Sequence, residues 1–309
     1  MSVVDSGNGV LRSYDLDTME AFLRVCRTDL VLLGGSPLAG LEALVVDGSL
    51  VGRITLGMRI RGRFVLPRDW MLLLYLIDAE EQHSWCHGVP MGTGSCVTVL
   101  PTGAAEFGLA AGTQAVFALL PRQMAGGGDV PSSVLDDPSR LEPGVRFHAE
   151  AEAFHAETWQ SLQSRTFDAS RLGRWLELHR LSQPRDAHLS LASLRARRSR
   201  YLVFRKAEDF MLANMRRQLY MHEICDAAGT SERTLRYAFD DLTGSSPGRY
   251  LSLMRLCAAC RALSRADASE ESVKSVALSC GLWDLSRFAD SYRTVFGELP
   301  RETLQRAVV

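Results

Sequence analysis

The chain has 309 residues, 46% of them hydrophobic, and a formal charge of −1, a size that suits two globular domains with a core each. No run approaches the roughly 20 consecutive apolar residues of a membrane span, and the start MSVVDSGNGVLRSYDL lacks the basic and then apolar pattern of a secretory signal. Membrane insertion and export are therefore not expected, and a cytoplasmic location is. Seven cysteines at irregular spacing suit reduced thiols better than a disulfide framework.

The near-neutral total conceals two unlike halves. Residues 1–190 carry 16 Arg and Lys against 22 Asp and Glu, whereas 191–309 carry 19 against 14. The second half is the one a polyanion would approach.

From about Leu41 to Met124 the chain favours short strands. Apolar residues alternate at Ile54, Leu56, Met58 and Ile60, and Gly or Pro recurs between the runs, the texture of an antiparallel sandwich or barrel. Residues 126–144 read as an exposed connection. Residues 145–181 then look helical, with Phe154, Trp159, Leu162, Leu172, Trp175, Leu176 and Leu178 available to cover the barrel or to pair with a second copy. The chain divides near Pro184, and beyond it the texture is helical. The expected organisation is a sensing or dimerisation domain over 1–183, a linker over 184–199 and a helical domain over 200–309.

The helical part contains an internal pair. Ile224, Cys225 and Gly229 match Val276, Ala277 and Gly281 at one offset; with one residue inserted, Ser231, Leu235, Phe239, Gly244 and Pro247 match Asp284, Phe288, Tyr292, Gly297 and Pro300. Each copy has the mechanics of a helix-turn-helix, over about 219–244 and 272–297. A small residue allows two helices to cross closely, and the glycine four residues later turns the chain. Ser231 and Asp284 are placed to cap the next helix, whose end is set by Gly244 or Gly297.

The second helix of each copy keeps one face that the core does not need. In the first it carries Glu232, Arg233, Arg236 and Tyr237; in the second it carries Leu285, Ser286, Ala289 and Asp290, flanked by Arg287 and Arg293. A charged face by itself indicates only exposure. A capped helix projecting arginines also fits a DNA major groove, where Arg donates two hydrogen bonds to guanine. A solvated surface requires neither a tandem copy nor paired caps, so the repeat favours the second reading. Residues 247–266 between the copies read as a helix whose stiffness would set their separation.

Together the stretches AAGTSERTLRYAF, GSSPGRYLSLMRL and GLWDLSRFADSYRTVFGELPRETL resemble the DNA-binding domain of AraC/XylS-type transcriptional regulators, over residues 200–306. The resemblance implies two helix-turn-helix units joined by a long helix, behind an N-terminal cupin-like barrel that senses or dimerises. It implies base contacts from Arg233, Arg236 and Tyr237, and from around Ser286, Ala289 and Asp290. Asp290 departs from the family, which often has a basic residue there. The first unit is therefore expected to supply most of the affinity, with Asp290 free to accept from a cytosine amino group.

The chain as a whole is thus expected to be an α+β multidomain protein: an antiparallel cupin-like barrel with flanking helices, followed by an all-α domain. Its expected function is that of a sequence-specific transcriptional regulator, an activator, with promoter DNA, a second copy, RNA polymerase and a small-molecule effector as partners, and with no cofactor.

The alternative is a metal-binding cupin-like enzyme with an accessory helical domain. His83, Cys86, His87 and Cys96 offer it N and S ligands, but without a carboxylate at ligand spacing. Cys257 and Cys260 form a lone C-x-x-C among alanines, which reads as packing. Trp70, Trp85 and Phe107 are candidates for lining a ligand pocket.

Overall fold

The computed structural model of the protein describes residues 27–99, 104–125, 145–146, 149–181, 183–184 and 191–306. The connection expected at 126–144 lies outside them.

Eight strands form one sheet: β1 (Arg27–Val46), β2 (Ser49–Val65), β3 (Trp70–Asp78), β4 (Trp85–Cys86), β5 (Val89–Pro90), β6 (Cys96–Val99), β7 (Ala104–Leu109) and β8 (Gln114–Pro121). The organising strand is β2. One of its edges pairs along its length with β1, while the other is shared, Leu50–Thr55 pairing with β8 and Ile60–Val65 with β7. The sheet forks there, into a β8-β3-β6 arm and a β7-β4-β5 arm, and curves into a half-barrel. The first strand begins at Arg27, well ahead of the β-rich stretch expected from Leu41. Gly34, Gly35 and Pro37 look like turn residues, but register shifts at Leu32/Gly34 and Gly35/Ala39 absorb them as bulges.

The alternation along β2 has two consequences. Leu56, Met58 and Ile60 are buried in the barrel core, and the intervening positions place Arg59, Arg61 and Arg63 together on the other face. Helices α1 (Ala149–Gln163) and α2 (Ala169–Leu181) cover the sheet elsewhere, packing Leu162, Leu172 and Trp175 on Val51, Leu73, Tyr75 and Val116. The short β9 (Val145–Arg146) and β10 (Gln183–Pro184) pair with each other.

The helical part comprises α3 (Leu191–Asn214), α4 (Met221–Ala228), α5 (Glu232–Thr243), α6 (Pro247–Leu263), α7 (Val273–Ser279), α8 (Leu285–Phe296) and α9 (Pro300–Arg306). Helix α3 starts inside the stretch expected as linker. In the first helix-turn-helix, Phe204 of α3, Phe239 of α5 and Tyr250 of α6 meet edge to face at 4.9–5.5 Å. In the second, Phe288 packs on Tyr292, whose hydroxyl lies 2.8 Å from Thr303 Oγ1.

The two halves are in direct contact. Helix α6 lies on β1, where the Leu32 N–H donates to Cys257 Sγ at 3.4 Å and Arg261 donates to the Leu30 carbonyl. The apolar core of the half-barrel continues without a break into that of the second unit.

Candidate nucleic-acid interface

The turn into α5 is made by Gly229 at φ 66°, in the left-handed region where a side chain would be strained. Ser231 Oγ then accepts from the Thr234 N–H at 3.3 Å, satisfying one of the helix's unpaired donors. Leu235, Ala238, Phe239 and Leu242 are buried, whereas Glu232, Arg233, Arg236 and Tyr237 are exposed. Arg233, Arg236 and Tyr237 are brought together along one open groove of about 650 Å³, with Thr234, Asp240, Ser245 and Ser246. Ser245 and Ser246 belong to the start of α6 and complete a wall that the sequence reading missed; the run GSSPGR marks that helix start.

The arginines of this face are arranged in different ways. Arg236 donates Nε–H and Nη2–H to Glu232 Oε1 at 2.9 and 2.5 Å, so a carboxylate on the same helix orients its guanidinium. Tyr237 is 57% exposed yet steered by α3: Arg200 lies 5.3 Å from its ring centroid and is paired with Asp241 at 2.9 Å. Arg200 is a second residue missed from the sequence, because nothing local links it to Tyr237.

In the second unit Asp284 Oδ1 accepts from the Arg287 N–H at 3.2 Å, and its other oxygen is 3.4 Å from the Arg287 guanidinium. Ser286, Arg287, Asp290 and Arg293 are exposed, and Ala289 is half-buried. The N-termini of α5 and α8 are therefore held by the expected caps.

Between the halves lies a buried ionic network. Arg61 Nη2 donates to Glu106 Oε2 and Glu208 Oε2, both at 2.8 Å; Arg63 reaches Glu208 at 2.7 Å and Asp209 at 2.6 Å. Tyr250 donates to the other Glu208 oxygen, and Tyr201 to Glu106 at 2.9 Å. Burial pushes the Glu106 carboxyl up, but Arg61 and Arg63 outweigh it and hold the group below its usual value.

Within the half-barrel a cavity of about 110 Å³ is walled entirely by apolar side chains, among them Leu30, Ile60, Phe64, Cys86, Val97 and Phe107. Of the three aromatic residues proposed for a pocket, Phe107 lines it. Trp85 does not, because it precedes Cys86 on a strand and so faces the opposite way. Trp70 packs at the margin of the same core. Burial raises the Cys86 thiol to about 12, which keeps it protonated at neutral pH. His87 turns away toward Tyr201, while Cys96 packs in a different cluster, with Tyr75. Among the described residues no three His, Cys, Asp or Glu side chains converge as a metal site.

Comparison with known proteins agrees with this geometry. Residues 224–306 match the family described as "Helix-turn-helix domain". The XylDLEGF operon transcriptional activator 2 of Pseudomonas putida is 34% identical over 101 residues, covering 33% of this chain and 64% of that protein. A probable AraC family transcriptional regulator from Rhodopseudomonas palustris, of known structure, is 38% identical, covering 34% of this chain and 96% of that one, with a TM-score of 0.32. Over this domain the chain is similar to XylS- and AraC-type transcriptional regulators. Another match, the HTH-type transcriptional activator RhaS of Escherichia fergusonii, is 39% identical over 82 residues, covering 26% of this chain and 28% of that protein. This chain spans 31% of XylDLEGF operon transcriptional activator 1 and 64% of activator 2, and each match covers 33% of this chain. Among the described residues no helix is long and apolar enough to cross a membrane.

Proposed function

We propose that the chain is a sequence-specific, DNA-binding transcriptional activator whose half-barrel receives a small effector. The observation that carries this reading is the tandem of capped helices, with Arg233, Arg236 and Tyr237 gathered on one open groove. Helices α5 and α8 would enter successive major grooves, a spacing of about 34 Å that α6 is stiff enough to hold. Arg233 and Arg236 would donate to base edges and Tyr237 would pack beside them. Ser286, Ala289 and Asp290 would face the second groove, with Arg287 and Arg293 toward phosphates. The functional boundaries remain those of a sensing region to about residue 183 and a DNA-binding region from about 200. Pairing of two copies and contact with RNA polymerase belong to the same reading, as does a cytoplasmic location beside the DNA. The effector's chemistry follows from the cavity wall: an entirely apolar lining favours an uncharged, apolar molecule, because a buried carboxylate would find no partner there.

The test is binding of the full chain to promoter DNA against random competitor. Specific affinity should fall steeply with salt, and Arg236→Ala should weaken it by about 1–3 kcal/mol while relaxing preference at one base pair. Equal weakening on specific and random DNA would assign Arg236 to phosphate alone.

A further inference from the structure

The end of the first reading helix is held by the barrel. An α-helix leaves its last four carbonyls without intrahelical partners. In α5 the Gly244 N–H reaches back to Asp240 O at 2.8 Å. Two of the remaining carbonyls are taken by side chains more than 150 residues away in sequence: Trp85 Nε1–H donates to Leu242 O at 2.8 Å, and Arg59 Nη1–H donates to Thr243 O at 2.8 Å. Arg59 also brings a positive charge to the negative end of the helix dipole.

Both donors are fixed in place. Trp85 is fully buried, with Tyr201 at 5.7 Å and the Arg61 guanidinium 5.1 Å from its ring. Its indole lies where a Cβ on Gly108, its cross-strand partner, would be. Arg59 approaches the turn so closely that a Cβ on Gly244 would collide with its guanidinium. Neither donor covers Arg233, Arg236 or Tyr237, so the caps hold the helix while leaving its outer face open. The opposite side of the same ladder carries Cys86 and Phe107, a cross-strand pair that lines the apolar cavity. One face of β4 and β7 thus touches the cavity, and the other touches the carbonyl end of α5.

We propose that Trp85 and Arg59 are positioning residues for DNA recognition, the barrel setting the pose of α5 by capping its carbonyl end. This rests on the reading of α5 as a DNA-reading helix. The caps act on the pose of one helix, so they affect base discrimination under the first unit and leave the second unit's unchanged.

The test uses full-length Trp85→Phe, which keeps an aromatic ring and drops the N–H, with Arg59→Met and Arg59→Lys. Each is titrated with the specific site, with random DNA, and with sites randomised under one unit at a time; the base pairs relaxed by Arg236→Ala mark the first unit's share. Trp85→Phe and Arg59→Met should each lose about 3- to 10-fold in specific affinity, the effect of one hydrogen bond. Preference should relax only under the first unit, binding to random DNA should stay constant, and Arg59→Lys should recover most of the loss. Equal relaxation under both units, a lower melting temperature with intact discrimination, or a gain in specific affinity would each overturn the proposal. If Trp85→Phe does not fold, the half-buried Arg59 pair of variants carries the test. Failure of the wild-type chain to prefer its site over random DNA would instead overturn the DNA-reading function, and would be seen before any variant is made.

Discussion

At Arg61 a side chain only 1% exposed keeps its charge because two carboxylates meet it at 2.8 Å. Burial works against that charge, and Glu208, Tyr250 and Glu106 more than offset it. His87, at the edge of the same network, is the opposite case. Burial lowers its pKa, an effect that Arg61 and Arg205 reinforce and that Glu106 and the Ala104 carbonyl oppose without overcoming it. The folded protein therefore binds the proton less readily than the unfolded chain, for which His titrates near 6.5. Stability should be fully present above about pH 6.5 and should decline as pH falls from there toward the lowered folded value. Melting temperatures between pH 7.5 and 5 should show that slope in the wild type and a flatter one in His87→Gln; parallel curves would remove His87 as the cause. The alternation in MRIRGRF places three arginines on one strand face once the strand is known. Their partners Glu208 and Asp209 were not readable, because no local pattern joins residues some 145 positions apart.

Among the elements, the two helix-turn-helix units were the most legible, because caps and turns depend on a few neighbouring residues. Gly229 illustrates this. A Cβ there would meet nothing within 4 Å, so only the backbone angle requires glycine. Gly229→Ala should lower stability by about 1–2 kcal/mol, and the β-branched Gly229→Val by more, with DNA affinity falling alongside. A denaturation midpoint and DNA affinity equal to wild type in Gly229→Val would contradict the turn's role. Strand β1 was legible only in part, since Gly34, Gly35 and Pro37 interrupt its pattern and only the pairing with β2 shows them to be bulges. Helix α3 overlaps the stretch expected as linker, and its run RARRSR holds no large apolar residue to mark a buried face. What fixes its position is tertiary: Arg197 donates to Gln82 O at 3.0 Å, and Arg200 pairs with Asp241.

Over the whole molecule, Glu208 ties three elements. From α3 it accepts from Arg61 and Arg63 of β2 and from Tyr250 of α6, so one carboxylate bridges the barrel and two helices of the helical part. Removing one partner of a buried pair leaves the other charge uncompensated, at a cost of about 3–5 kcal/mol. Glu208→Ala should therefore lower the unfolding free energy by about that amount in denaturant titration. A loss below about 1 kcal/mol would show that water already compensates the arginines in solution.

The sequence by itself determined the tandem of capped helices, the residues of their outer faces and the two-part organisation, because capping, turning and periodic burial are set within a few residues. Only the tertiary structure decided that the barrel holds α5 by its carbonyl end, that the cavity is lined without a polar group, and that the halves are joined through buried charge. Those outcomes depend on side chains far apart in the chain meeting in a low-dielectric interior, where each needs a partner that no local pattern names.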